Sequence, residues 1–223
     1  MKKRITNCVV LLAFLLIVFL NALILPKNKS ENIDKSGILL SEETTEEATV
    51  VTREEAMIEM AINQMNEEMA IIDNIENKEK WFKEYKEIVD KYSYILDPPE
   101  TIYDYFDEDE LDLLFRVVHA EIGDEWDFEE KVNVANVIFN RLSNEVFPDT
   151  IFEVLTEDQF CTIRNGSYLN EPSEKTITAC EYAFMFPDTT NGALFFDNNG
   201  VLEKSYKKVY EDKAHNFYSL KTV

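Results

Sequence analysis

Basic side chains are scarce in this sequence: its 223 residues hold 22 Lys and Arg against 44 Asp and Glu, a formal net charge of −22. Affinity for nucleic acid comes mostly from Lys and Arg neutralising phosphates, so the composition argues against a nucleic-acid partner. Cysteine is nearly absent. Cys8, Cys161 and Cys180 are the whole supply, and their spacing specifies no bridge: a Cys161–Cys180 disulfide and two small buried apolar side chains both fit. Metal motifs are missing as well. His119-Ala-Glu121 is the His-x-Glu half of a zinc deaminase signature, but its Pro-Cys-x-x-Cys half is absent and no His-Glu-x-x-His occurs. Zinc chemistry is therefore not expected, and no cofactor is implied. No internal repeat is visible.

What charge there is lies unevenly. Residues 1–30 carry five basic side chains and no acid, residues 31–110 a net −17, and residues 111–223 a net −10. Lys2, Lys3 and Arg4 precede an apolar run from Cys8 to Leu25, broken only by Asn21 and stopped by Pro26 and Lys27. Its length suits a bilayer span of roughly 20 residues. A cleaved signal would have an apolar core of about 7 to 15 residues and a small-x-small site, and Ala22 with Leu20 before it makes a poor one. The expectation is an uncleaved, single-pass anchor over 1–26, its basic end inside and the rest extracytoplasmic.

Residues 27–51 include Ser41-Glu-Glu-Thr-Thr-Glu-Glu, too polar to bury apolar area, and read as an acidic flexible tether. Over 52–104 the period turns helical. Met57, Ala61, Met65 and Met69 recur every fourth residue, and Trp81, Phe82, Tyr85 and Ile88 form a second stripe before Pro98-Pro99. This predicts an acidic helical stalk, a packing seam or the seat of a protein partner.

Residues 105–223 show the mixed signals of an α+β unit. Asp107 caps a helix opened by Glu108, Asp109 and Glu110, with Leu111, Leu114, Phe115, Val118 and Ile122 on one face and Gly123 at its end. Asp127 caps a second, Phe128 to about Leu142, apolar over most of its circumference and so central. Asp149 and Ser173 cap two more, near Ile151–Leu155 and Glu174–Met185. The period then shortens. Ala193–Asp197, Ser205–Tyr210 and His215–Leu220 read as strands of a small antiparallel sheet, with the turn Asn198-Asn-Gly200 after the first.

Glu121 stands out among the charged residues. At about 100° per residue it falls about 20° from Leu114 and about 60° from Val118, at the edge of the apolar stripe near the helix end. A half-buried carboxyl there would hold its proton near neutral pH, as a general acid must. Periodicity alone favours a solvated glutamate at the helix flank.

The run Val117-Val-His-Ala-Glu121-Ile-Gly-Asp-Glu125 resembles the start of the SleB-type cell-wall hydrolase domain. Asn136-Val-Ile-Phe-Asn140-Arg141, Phe147-Pro148, Gln159-Phe160 with Gly166, Gly192-Ala-Leu-Phe-Phe196 and His215-Asn-Phe-Tyr218 follow in the family's order. The resemblance implies a lysozyme-like helical lobe with a small antiparallel sheet. It also implies cleavage of peptidoglycan glycan strands between N-acetylmuramic acid and N-acetylglucosamine, in cell wall or spore cortex, with Glu121 at the catalytic position. Gln159, Phe160, Asn140, Phe196, His215 and Glu125 become candidate substrate-binding residues, and Arg141 a holder of a carboxylate within the protein. As a lytic transglycosylase the domain would need one carboxylate. A hydrolase would need a second, about 5 to 9.5 Å away, for which Asp124 and Glu125 are the neighbours in sequence. Two departures from the pattern are Lys213-Ala214, where the family has paired glycines, and the missing arginine-glycine after Glu121.

Two other readings compete. Cys161 with His215 would make a cysteine peptidase of peptide stems. A membrane-anchored scaffold that binds peptidoglycan without cutting it is the rival from another class.

Overall fold

The computed structural model describes residues 53–156 and 158–221. The expected anchor over Cys8–Leu25 and the tether over 27–51 lie outside the described residues. Among the described residues no helix is long and apolar enough to cross a membrane. The chain divides into two compact units, Met1–Met60 and Ala61–Val223. Of the first, the described part is the opening of helix α1 (Arg53–Ile72), with Glu54 and Glu55 in its first turn, where the helix dipole favours acids.

Within the second unit, α1 turns at 73–77 into α2 (Lys78–Lys91), whose cap Asn77 accepts from the Lys80 amide. The methionine and aromatic stripes meet here: Met65, Ile72, Ile88 and Tyr92 are buried together. Helix α2 has a second apolar face. Phe82 is fully buried, edge-on to Tyr182 and Phe186 at 5.4 and 5.8 Å, and Lys86 bonds Glu181 at 2.5 Å. The expected boundary near 105 is therefore not a packing boundary. A ring with no exposed surface needs a neighbour, and α2 finds it in the last helix of the fold rather than standing apart as a stalk.

Helix α3 (Glu108–Glu121) begins with a capping box in which Asp107 and Glu110 satisfy each other's amides. Its end differs from expectation. Ile122 leaves the helix in extended backbone, and Gly123 is not among the glycines of positive φ. A Cβ at Gly123 would meet only the carboxylate end of the exposed Glu125 side chain, which is free to swing aside. Helix α4 (Phe128–Leu142) is central, with thirteen of its fifteen residues buried, Glu130, Lys131, Asn133, Asn136 and Arg141 among them. Its Asp127 cap makes no side-chain bond to the helix and takes Lys213 instead. Two short helices follow, α5 (Ile151–Val154), capped by Thr150 rather than Asp149, and α6 (Cys161–Asn165), which local periodicity had not indicated. Helix α7 (Glu174–Met185) starts at Ser173, which accepts from the Thr176 amide, and packs along α4.

The sheet holds β1 (Phe195–Asp197), β2 (Lys207–Glu211) and β3 (Asn216–Ser219), all antiparallel in the order β1-β3-β2. Asn198-Asn-Gly200 is consequently no hairpin. Asp197 accepts from the amides of Gly200 and Leu202 at 2.9 and 2.8 Å and starts a 3-10 turn over Val201–Lys204, so the last strand enters between the other two. Phe217 of β3 is fully buried against Val137 and Ala193, which fastens the sheet to α4.

Candidate active site

Glu121 is the last residue of α3 and is half-buried. Its Oε1 accepts from the Thr162 hydroxyl at 2.6 Å, across a sequence separation of 41 residues that the packing of α6 on α3 closes. Burial pushes the Glu121 carboxyl above its ordinary range, while the hydroxyl and amide of Thr162 and the charge of Arg141 pull it back. Among the described residues Arg141 acts on it as a nearby charge, with no ion pair between the two. Its guanidinium sits among the rings of Phe147, Phe160 and Phe195 at 5.2, 5.0 and 5.4 Å, and its Nε donates to the Leu194 carbonyl at 2.7 Å. Its Nη1 is buried without a hydrogen-bond partner among the described residues. The result is a carboxyl that keeps a proton more readily than one in water, beside a cation able to stabilise the anion once that proton leaves. A general acid that later serves as base requires both properties.

The opposite flank of the helix end is organised around Lys131, which has no exposed side-chain surface. Its Nζ donates to the Ile122 carbonyl at 2.7 Å and to Thr176 Oγ1 at 3.0 Å, and pairs with Asp124 Oδ1 at 3.2 Å. Thr176 Oγ1 also lies 3.2 Å from His119 Nδ1, and Ser173 donates to Asp124 at 2.6 Å. The Ser173 bond, with Lys131 behind it, holds the Asp124 carboxyl below the usual range. His119 is thus engaged with a threonine. Among the described residues no group of three or more His, Cys, Asp or Glu side chains is placed to hold a metal ion.

The other residues singled out from sequence fall into three settings. Phe160, Phe196 and His215 form one layer: Phe160 lies 6.4 Å from Phe196, and Phe196 meets the His215 ring edge-on at 5.0 Å. Phe160 is 2 % exposed, too buried to offer a face to substrate as its place among the candidate substrate-binding residues implied. It is a core ring that backs Arg141. His215 is partly buried, and burial pushes its imidazole below the ordinary range against the pull of Asp212 and Asp197, with Nδ1 unpartnered among the described residues.

Asn140 donates to the carbonyl of Ala193 at 3.1 Å and to Thr190, while Asn133 and Asn136 bond Thr189, and Asn133 also Asp212. This face of α4 is neither a cleft lining nor a solvated surface: its amides tie the helix to the 188–193 turn and to the sheet, because buried polar groups must be paired. Gln159 and Glu125 are the exposed members. Arg141 lies near Glu121 without bonding it, so the holder of a carboxylate expected from sequence acts through space. Cys161 and Cys180 are free thiols, the first exposed and the second buried, and no disulfide joins them. Sequence reasoning missed Thr162 and Lys131. Thr162 sits two residues beyond Phe160, at the tail of a motif already visible; Lys131 carried no signal beyond being a charge on the most apolar helix.

Comparison with known proteins finds similarity over part of the chain. The family model described as Cell Wall Hydrolase matches residues 126–218, a stretch that begins five residues after Glu121 and includes Arg141, Thr162 and His215. The spore cortex-lytic enzyme of Oceanobacillus iheyensis is 30% identical over 102 residues, 45% of this chain and 37% of that protein. The chain thus spans little more than a third of the length of that curated relative. Among solved structures, the catalytic domain of the germination-specific lytic transglycosylase SleB from Bacillus anthracis aligns with a TM-score of 0.48 and 20% identity, covering 53% of this chain and 100% of that one. The catalytic domain of the Bacillus cereus SleB protein gives 0.47 and 23%, over 51% and 92%. Residues 126–218, less than half of the chain, are thus similar to the cell wall hydrolase family.

Proposed function

We propose that this chain cleaves the glycan strands of peptidoglycan between N-acetylmuramic acid and N-acetylglucosamine, as a lytic transglycosylase that uses Glu121 alone as acid and base. The observation that carries the reading is the half-buried Glu121 carboxyl bonded to Thr162, immediately ahead of the stretch similar to the cell wall hydrolase family. The protonated carboxyl gives its proton to the glycosidic oxygen as the bond from that oxygen to the muramoyl anomeric carbon breaks. The carboxylate left behind, eased by Thr162 and by the Arg141 charge, then takes the proton of the muramoyl C6 hydroxyl. The freed oxygen closes on the anomeric carbon to give a 1,6-anhydro ring, so no water is consumed and Glu121 returns to its starting state.

A single-carboxylate route accords with the neighbours. Asp124 is tied to Lys131 and Ser173, and Glu125 is exposed over Gly123, so neither is presented as a nucleophile beside Glu121. Mass spectrometry of fragments released from purified peptidoglycan tests this: anhydro-muramoyl ends are expected, and reducing ends would replace the transglycosylase with a hydrolase. Glu121→Gln should bind peptidoglycan and release nothing. Unchanged release by that variant would take the chemistry away from Glu121, and binding without release by the parent itself would favour the non-catalytic scaffold. The same reading puts the domain outside the cytoplasmic membrane, with residues 8–25 as its span; fractionation and protease accessibility of the intact cell check that placement.

A further inference from the structure

We infer that Lys131 is a positioning residue for Glu121, a buried clamp on the first residues after it. The inference rests on the reading of Glu121 given above. Helix α3 ends at Glu121 with no glycine cap, and Ile122 departs in extended backbone. The last turn closes where the Ile122 amide donates to the Val118 carbonyl at 3.1 Å, and beyond that bond the helix no longer restrains the chain. Lys131, from the neighbouring helix, supplies that restraint. Its Nζ donates to the carbonyl of Ile122 at 2.7 Å, pairs with Asp124 at 3.2 Å, and donates to Thr176 of α7 at 3.0 Å. His119, two residues before Glu121, reaches the same Thr176 hydroxyl at 3.2 Å. The segment 119–124 is thus held on both sides of Glu121 to one point on α7.

An ammonium with no exposed surface, on the most deeply buried helix of the fold, is an expensive way to fill space that methionine would fill as well. It is explained by the orientation it imposes, because small misplacements of an acid or base cost large factors in rate. Asp124 keeps half its side-chain surface in solvent, so it can be hydrated when the lysine is removed and the fold survives.

The experiment is muropeptide release by the full chain and its Lys131→Met, Thr176→Val and Glu121→Gln variants, on purified peptidoglycan at varied concentration, with melting temperatures measured alongside. Lys131→Met is expected to lower the saturating rate by about 30-fold, to leave the half-saturating concentration within about twofold, and to melt no lower than about 5 °C below the parent. Thr176→Val, which removes one of the three anchors, is expected to lower the saturating rate about threefold. A folded Lys131→Met that works at the parental rate beside an inactive Glu121→Gln overturns the clamp alone. A loss confined to the half-saturating concentration overturns it too, since that is a binding defect. Should Lys131→Met fail to fold, Thr176→Val at the parental rate overturns it. A Glu121→Gln as active as the parent overturns the reading of Glu121 and the clamp with it.

Discussion

Two buried charges flank the end of α3, and they are treated in opposite ways. Lys131 has an acceptor for each of its three donors: a carbonyl, a hydroxyl and a carboxylate. Glu121 has one hydroxyl and one amide, both from Thr162, with its countercharge Arg141 held off by rings and by the Leu194 carbonyl just ahead of β1. Burial opposes the charged form at both, but Lys131 has a direct partner for every donor whereas the direct contacts of Glu121 come from one residue. A saturated charge has nothing left to exchange and serves as a fixture. A charge left short of partners is poised to take up or release a proton, at some expense in stability.

The largest break in that comparison is Glu121→Gln. Muropeptide release should fall by about 10³-fold or more, the range expected for losing a general acid–base. Stability should move the other way. The folded carboxyl titrates above its unfolded value, so its favourable contribution is complete below the unfolded pKa and is lost as pH rises through the folded one. The variant should therefore melt above the parent at neutral and alkaline pH and match it in acid. Equal melting curves across that range would mean that Glu121 is not held against its charge.

Arg141→Met comes next. It leaves the Leu194 carbonyl unpaired and removes a cation from three ring faces, a loss of about 3 kcal/mol in denaturant unfolding. Because the guanidinium pulls the Glu121 carboxyl down, the alkaline limb of kcat/KM should shift to higher pH. A shift to lower pH would show that Arg141 does not act on Glu121.

Thr162→Val is gentler on the fold and aims at the same proton. It removes a hydroxyl that favours the Glu121 anion, so the alkaline limb again moves up, with kcat lowered about tenfold as the side chain loses its anchor. An unmoved limb would separate Thr162 from the proton. The smallest effect is reserved for Asp107→Ala, at the far end of the same helix. Losing the capping box should cost about 1 kcal/mol and leave both clusters, and hence release at saturating peptidoglycan, unchanged. A rate loss there would show that general destabilisation, not the local arrangement, governs turnover.

The sequence by itself determined the elements that depend on near neighbours. The Asp107 and Ser173 caps, the apolar circumference of α4 and the position of Glu121 at the margin of its stripe all follow from spacings within a few turns. Tertiary structure decided what depends on distant pairing. It drew α2 into the globular unit through Phe82, inserted the last strand between the other two, turned the asparagines of α4 into ties and made Phe160 core rather than cleft. It brought Thr162 to Glu121 and Lys131 to Ile122. The reason is one of range: periodicity and capping act over one or two turns, whereas the partners of a buried charge are chosen only when helices far apart in the chain close over it.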